Sequence, residues 1–203
     1  VKANKGLFMT NSSSFNVNTP IVALDVETTG LDVYVHSLYS FALVPNNPKI
    51  KPLHVYVRLP EDVVWDKWAY KNFERMEYEY EKAYVSPKEA WGLVLDYVDL
   101  LNPGCLLGRE EVLPLGHNTT FDLMFMRQLA KRAGYLFTGF HYRSLDTFTL
   151  LHRLFEKGEI SSAQLSLSGA CRYYHIELSE ANRHTALGDA EATLELYNRI
   201  RNF

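Results

Sequence analysis

A chain of 203 residues, with 47% apolar and 22% charged side chains, has the make-up of one folded globular domain and is short for two. No apolar run approaches the roughly 18–20 residues that span a bilayer, and the first residues lack a basic segment followed by an apolar core, so neither a membrane span nor a secretory leader is expected. A net charge of −3 argues against a broad cationic face for nucleic acid, an objection that weakens if some of the acid serves to bind metal.

Residues 1–19, rich in Asn, Ser and Thr and without periodicity, read as a mobile tail ahead of one domain over 20–203. A first strand over Ile21–Glu27 turns through Gly30 into a second at Ser37–Val44, which ends at the Pro45-Asn-Asn-Pro48 turn. A third, His54–Leu59, sets Val55, Val57 and Leu59 against Tyr56 and Arg58. Short turns between the three predict an antiparallel meander. Residues 61–85, crowded with rings and charges, are predicted mostly helical. Ser86, Pro87 and Glu89 form the capped start of a helix whose Trp91, Val94, Leu95, Val98 and Leu101 recur at helical spacing until Asn102-Pro-Gly. A strand at Val112–Leu115 follows, then a helix opened by Gly116-His-Asn-Thr-Thr-Phe-Asp122 and running to about Ala133. A strand at Tyr142–Leu145 and helices at Thr147–Phe155, Leu165–Tyr174 and Thr185–Arg201 complete an α/β pattern with a mixed sheet.

The chemistry concentrates in four acids. Asp25 and Glu27 stand two apart on an apolar strand and therefore face one spot. Burying both is costly unless a cation offsets them, and hard oxygen donors suit Mg²⁺ or Mn²⁺. A pair of acids at a strand end is, alone, more often solvated. Asp122 opens a helix for which Asn118 is a candidate N-cap, and alone it reads as an acid favoured by the helix dipole. Asp189 sits above Thr193, Leu196 and Ile200 on one stripe of the last helix, which aims it at the sheet, with His184 five residues earlier. Cys105 and Cys171 and the seven histidines show no zinc-ligand spacing, and so few thiols suit the reducing cytoplasm.

Asp25-Val-Glu27-Thr-Thr-Gly, His117-Asn-Thr-Thr-Phe-Asp122 and His184-Thr-Ala-Leu-Gly-Asp189, in that order, resemble the three motifs of the DnaQ-like 3′–5′ exonucleases, histidine (DEDDh) branch. Ser144-Leu-Asp146-Thr and Leu165-Ser-Leu-Ser-Gly-Ala-Cys171 resemble the segments that open helices between the second and third motifs. A tyrosine branch would carry Tyr four residues before the last Asp, where Thr185 stands. The resemblance covers about nine-tenths of the chain, from Ile21 onward.

It implies an RNase H-like mixed five-stranded sheet with flanking helices. It also implies two-metal-ion hydrolysis of single-stranded nucleic acid from its 3′ end to 5′-mononucleotides, with two divalent ions, Mg²⁺ or Mn²⁺. By the same resemblance Asp25, Glu27 and Asp189 hold one metal, and Asp25 and Asp122 the other. His184 takes the proton of the attacking water, and Thr28 lies beside the 3′-terminal nucleotide. Asn118 either orients the site or caps its helix, the cap being favoured. DNA is the favoured substrate, in proofreading or repair with a DNA polymerase as possible partner, and RNA trimming is the alternative. A silent nucleic-acid-binding domain would lack one of these residues, and all are present.

Three segments stand outside the motifs. Trp65-Asp-Lys-Trp68-Ala-Tyr-Lys-Asn-Phe73 replaces the Ile-His-Gly-Ile-Thr-like segment of polymerase-linked relatives, and its rings either stack on bases or pack over the sheet. Arg127, Lys131 and Arg132 share one helix and either touch phosphates or form a solvated face. Gln164-Leu-Ser-Leu-Ser168 resembles a clamp-binding peptide without its closing aromatic, and is discounted.

Overall fold

The computed structural model describes residues 19–107, 111–177 and 184–201; the tail expected over 1–19 lies, but for its last residue, outside them. Five strands form one sheet in the order β3-β2-β1-β4-β5. The meander β1 (Ile21–Thr28), β2 (Leu38–Pro45) and β3 (Leu53–Tyr56) is antiparallel. β4 (Leu113–Gly116) and β5 (Leu145–Asp146) run parallel to β1.

Both sides of the sheet are covered, and β2 is accordingly buried at every position. Val22, Leu24 and Val26 of β1 join Trp91 and Val94 of α3 (Pro87–Leu101) and Phe125 and Met126 of α4 (Thr119–Ala133) in the main core. Across the sheet Ala23 and Ala42 meet Ala186 and Ala190 of α7 (Ala186–Ile200), and these small side chains let α7 lie close over β1. Leu196 and Ile200, further along α7, pack with Leu151 and Leu154 of α5 (Thr147–Glu156) and Ala170 of α6 (Leu167–Tyr173).

The stretch 61–85 resolves into α1 (Lys67–Phe73) and α2 (Glu77–Ala83). The capping box of α3 is complete, with Glu89 N–H donating to Ser86 Oγ at 3.2 Å and Ser86 N–H to Glu89 Oε2 at 2.9 Å. Three boundaries differ from the sequence expectation by more than one residue. β3 stops at Tyr56, and Val57 continues only as a single bridge to Val85. β5 begins at Leu145 rather than Tyr142, because Arg143 N–H donates to His141 Nδ1 at 3.0 Å and bends the chain before it reaches the sheet. α6 begins at Leu167, since Ser162–Gln164 form a separate 3₁₀ turn and Ser166 caps the helix. Among the described residues no helix is long and apolar enough to cross a membrane.

Candidate active site

Where β1 leaves the cover of α7, its inward positions change from Ala23 to Asp25 and Glu27. The start of α7 is pinned there by Ala186 and Ala190 against the sheet and by Thr185 Oγ1, which accepts the Gly188 N–H at 3.1 Å. That anchoring brings Asp189 down onto the strand. Carboxylate oxygens of Asp25, Glu27 and Asp189 lie within 4.8 Å of one another.

Asp122 reaches the same region by a different route. The β1–β4 ladder ends at Ala23 and Leu115, leaving the N–H of Val26 without a strand partner on that side. Asp122 Oδ1 accepts it at 3.1 Å from the first turn of α4, with the residue only 4% exposed. Its oxygens do not join the close trio, but its charge acts on both Asp25 and Glu27.

Burial, followed by the charges of Asp122, Asp189 and Glu27, holds the Asp25 carboxyl well above the usual carboxylate range. Glu27 is raised by burial and then by Asp189 and Asp122, against the opposing effect of Tyr39 and Asn72. The buried Tyr39 hydroxyl lies near Glu27 without closing a hydrogen bond of normal geometry, whereas Asn72 Nδ2 donates to Glu27 Oε2 at 3.1 Å. Burial also raises Asp122, and the Val26 N–H pulls it back. Four acids so placed are unfavourable as bare charges, and three hard oxygen ligands this close fit a divalent ion such as Mg²⁺ or Mn²⁺. Among the described residues, the ligands this group offers are carboxylates.

A cavity of about 470 Å³ opens above the acids, between the β1–β2 turn, α1 and the start of α4. Its walls include Thr28, Leu31, Trp68, Phe121 and His184. His184 has a positive φ of 56°, unusual for a non-glycine residue, and its ring meets the edge of Trp68 with centroids 5.8 Å apart. Gly30 leaves the room that two side chains fill at the turn: a Cβ there would stand 2.4 Å from the His36 ring and 2.6 Å from Asp66 Oδ2, so both would have to shift.

Thr28 lines the cavity, and its hydroxyl donates to the Gly30 carbonyl at 2.8 Å. Asn118 is exposed and stands outside the cavity wall. It holds the N-cap position of α4 in left-handed geometry, φ 72°, rather than the extended form in which a side chain caps, and its side chain makes no cap bond. Asp146 braces this corner instead, accepting the N–H of Asn118 at 3.0 Å and capping α5 through Phe148 N–H at 2.9 Å.

The aromatic stretch 65–73 divides between its two readings. Trp65 and Phe73 pack with Tyr39 and Tyr80, while Trp68, 65% exposed, faces the cavity. Sequence reasoning missed Asn72, although a signal exists: it falls on the apolar stripe of α1 with Ala69 and Phe73, where a buried amide must find partners.

No family model matches the chain. It is 25% identical over 205 aligned positions to ribonuclease T of Shewanella denitrificans, covering 89% of this chain and 80% of that one. Escherichia coli exonuclease I in complex with a dT13 oligonucleotide superposes with a TM-score of 0.71 at 16% identity over 90% of this chain. The nuclease domain of 3′hExo, a DEDDh family member bound to rAMP, superposes with a TM-score of 0.70 at 14% identity over 90% of this chain and 92% of that domain. The chain spans only 41% of exonuclease I. At these identities the superpositions establish the fold.

Proposed function

Since the chain belongs to the DnaQ-like 3′–5′ exonuclease superfamily, we propose that it removes nucleotides one at a time from the 3′ end of single-stranded nucleic acid, as a two-metal-ion hydrolase of the DEDDh branch. The observation that carries this reading is the meeting of Asp25, Glu27 and Asp189 within 4.8 Å beneath a cavity walled by His184. We assign one exonuclease domain to 20–203.

Asp25, Glu27 and Asp189 would hold one Mg²⁺ or Mn²⁺, and Asp25 with Asp122 a second. When bound, such a pair supplies an activated water and neutralises charge on the leaving 3′-oxygen. The protein's own groups do the rest. His184 accepts the proton of the attacking water. Asn72 holds Glu27 in place. Trp68, Leu31 and Phe121 frame the terminal nucleotide, and Thr28, its hydroxyl turned to Gly30, sets the β1–β2 turn beside it. Asn118 stands exposed at the head of α4, outside the cavity wall, and a contact it makes with substrate would lie beyond the terminal nucleotide.

Exonuclease I holding dT13 supports a single-stranded DNA substrate. A proofreading or repair role, with a polymerase as partner, is the finer reading we propose for it. The likeness to ribonuclease T supports the second reading, trimming of RNA 3′ ends. Cys105 and Cys171, both buried and neither in a disulfide, suit a reducing compartment such as the cytoplasm.

The test is digestion of 5′-labelled single-stranded DNA, duplex DNA and RNA side by side, with Mg²⁺, with Mn²⁺ and with chelator. Stepwise shortening of the single strands, abolished by chelator, is the expected result. Intact strands under every metal condition would rule the activity out.

A further inference from the structure

Beyond the cavity, a second indentation of about 620 Å³ runs along the outer face of α4, between that helix and the tip of the β1–β2 turn. Val33, Tyr34, Met124, Arg127, Gln128 and Lys131 line it, with Arg132 at its end. Three of these residues are cationic and none is acidic, on a chain whose net charge is −3. Two neighbours tie it to the active-site cavity. Leu31 of the cavity precedes Val33 and Tyr34 on the same turn, and Phe121 of the cavity lies one helical turn before Met124. From Phe121 to Lys131 is ten residues of α4, about 15 Å at 1.5 Å per residue.

The individual groups suit a flexible polyanion. Arg127 and Lys131 are both exposed. The Arg127 guanidinium lies 4.2 Å over the Phe137 ring, which fixes its plane and leaves its edge open to a phosphate. Tyr34 is 95% exposed at the turn tip, where its backbone N–H donates to Asp32 Oδ1 at 2.9 Å. Gln128 does not read the ligand but holds the two walls together, its Nε2 donating to the carbonyls of Val33 at 2.6 Å and His36 at 2.8 Å. Arg132 is likewise committed, to the Arg58 carbonyl at 3.0 Å, and contributes charge alone. Cations near the end of α4 are also favoured by its dipole. That preference accounts for their place on the helix, but not for an acid-free groove with an exposed ring that continues the cavity.

We infer that this groove binds the phosphodiester backbone of the substrate strand on the 5′ side of the nucleotide being removed, through Arg127 and Lys131, with Tyr34 as a platform for one unpaired base. The inference rests on the exonuclease reading above, and its test separates the two. The doubly substituted Arg127→Ala, Lys131→Ala protein is compared with wild type on two kinds of substrate. One is the p-nitrophenyl ester of thymidine 5′-monophosphate, too short to leave the cavity; the other is a series of 5′-labelled oligonucleotides from two to twelve residues.

In wild type KM should fall with length over the first several nucleotides. In the double variant that gain should disappear, KM for the twelve-residue strand rising about tenfold with kcat and ester hydrolysis unchanged. The salt dependence of log KM should flatten by about 1.4, two phosphate contacts at about 0.7 each for single strands. Lys131→Glu, which keeps Arg127, should raise the long-strand KM and leave the ester alone, and guards against a folding defect peculiar to the double variant. An unchanged long-strand KM and salt slope in both variants would overturn the groove. Loss of ester hydrolysis in wild type would instead overturn the active site itself.

Discussion

Asn72 is hydrogen-bonded to Glu27 across 45 positions of sequence, its Nδ2 lying 3.1 Å from the carboxylate oxygen Oε2. The same nitrogen approaches the backbone carbonyl of His184 at 3.3 Å. One buried amide on α1 thus fastens a proposed metal ligand of β1 to the residue proposed as base at the head of α7. Replacing it with Ala should leave Glu27 less well oriented and His184 less well seated. Loss of such a supporting hydrogen bond commonly costs about 10–100-fold in metal affinity or activity. Metal titrations of kcat for Asn72→Ala and Asn72→Asp check this, the aspartate being the worse because it adds a carboxylate to the cluster. Wild-type kcat at every metal concentration in both variants would refute the link.

The acid cluster sets a pH dependence for the metal-free protein. Asp25 and Glu27 are raised above their ordinary values of 3.8 and 4.5, chiefly by burial and then by their acidic neighbours. A carboxyl raised on folding binds more protons in the native than in the unfolded state, so its contribution to stability is full below the unfolded value. It is lost as pH rises through the folded one. In chelator, melting temperature should therefore decline as pH rises above this range, and Asp25→Asn should decline less and be more stable near neutrality by about 0.5–2 kcal/mol. Added Mg²⁺ should restore wild type, by about 2.7 kcal/mol at a hundredfold excess over Kd. Asp25→Asn should gain little from it and have no nuclease activity. Calorimetry at several pH values with and without metal tests the stability statements and a nuclease assay the last, and equal pH profiles for the two proteins would contradict the first.

His184→Ala should lower kcat by about 10²–10⁴-fold, the usual worth of a positioned general base, while Mg²⁺ still raises the melting temperature, because the imidazole is not among the proposed ligands. Free imidazole added to the alanine variant should recover part of the rate. A variant that turns over like wild type removes the role. A variant that no longer responds to Mg²⁺ shows instead that His184 shapes the metal site.

Much of this site is legible in the chain because its parts are local. Asp25 and Glu27 share a strand face by alternation, the Ser86–Glu89 box announces α3, and the motif around Asp189 falls where Ala186 and Ala190 mark a helix that must lie close to the sheet. What escapes is non-local. Nothing near Asn72 in sequence indicates that its partner is Glu27, and the left-handed turn at Asn118 depends on Asp146, 28 positions later. β5 shortens because one backbone bond to His141 outcompetes a ladder. The ring-rich stretch 65–73 is undecidable by composition, since Trp65 and Trp68 differ only in whether Tyr39 and Phe73 lie beneath them.

Trp68 carries the last prediction. Its ring is 65% exposed, stands edge-on to His184 and forms one wall of the cavity over the acids. A terminal base can stack there only if it is unpaired, and such stacking is worth roughly 1–3 kcal/mol per base with little regard to base identity. Trp68→Ala should therefore raise KM for single strands by about 5–150-fold, the range those energies span, and Trp68→Phe should recover most of the loss. The same requirement gives the wild-type enzyme its preferences. Single strands and frayed or mismatched 3′ ends should be shortened faster than blunt paired ends, one nucleotide at a time. A 3′-phosphate should slow the reaction, since it occupies the space of the terminal hydroxyl. A 5′-labelled oligonucleotide, free, annealed and 3′-phosphorylated, resolves these cases on one gel. A circular single strand cut as fast as the linear one would show an endonuclease, and with it a cavity that does not select for ends.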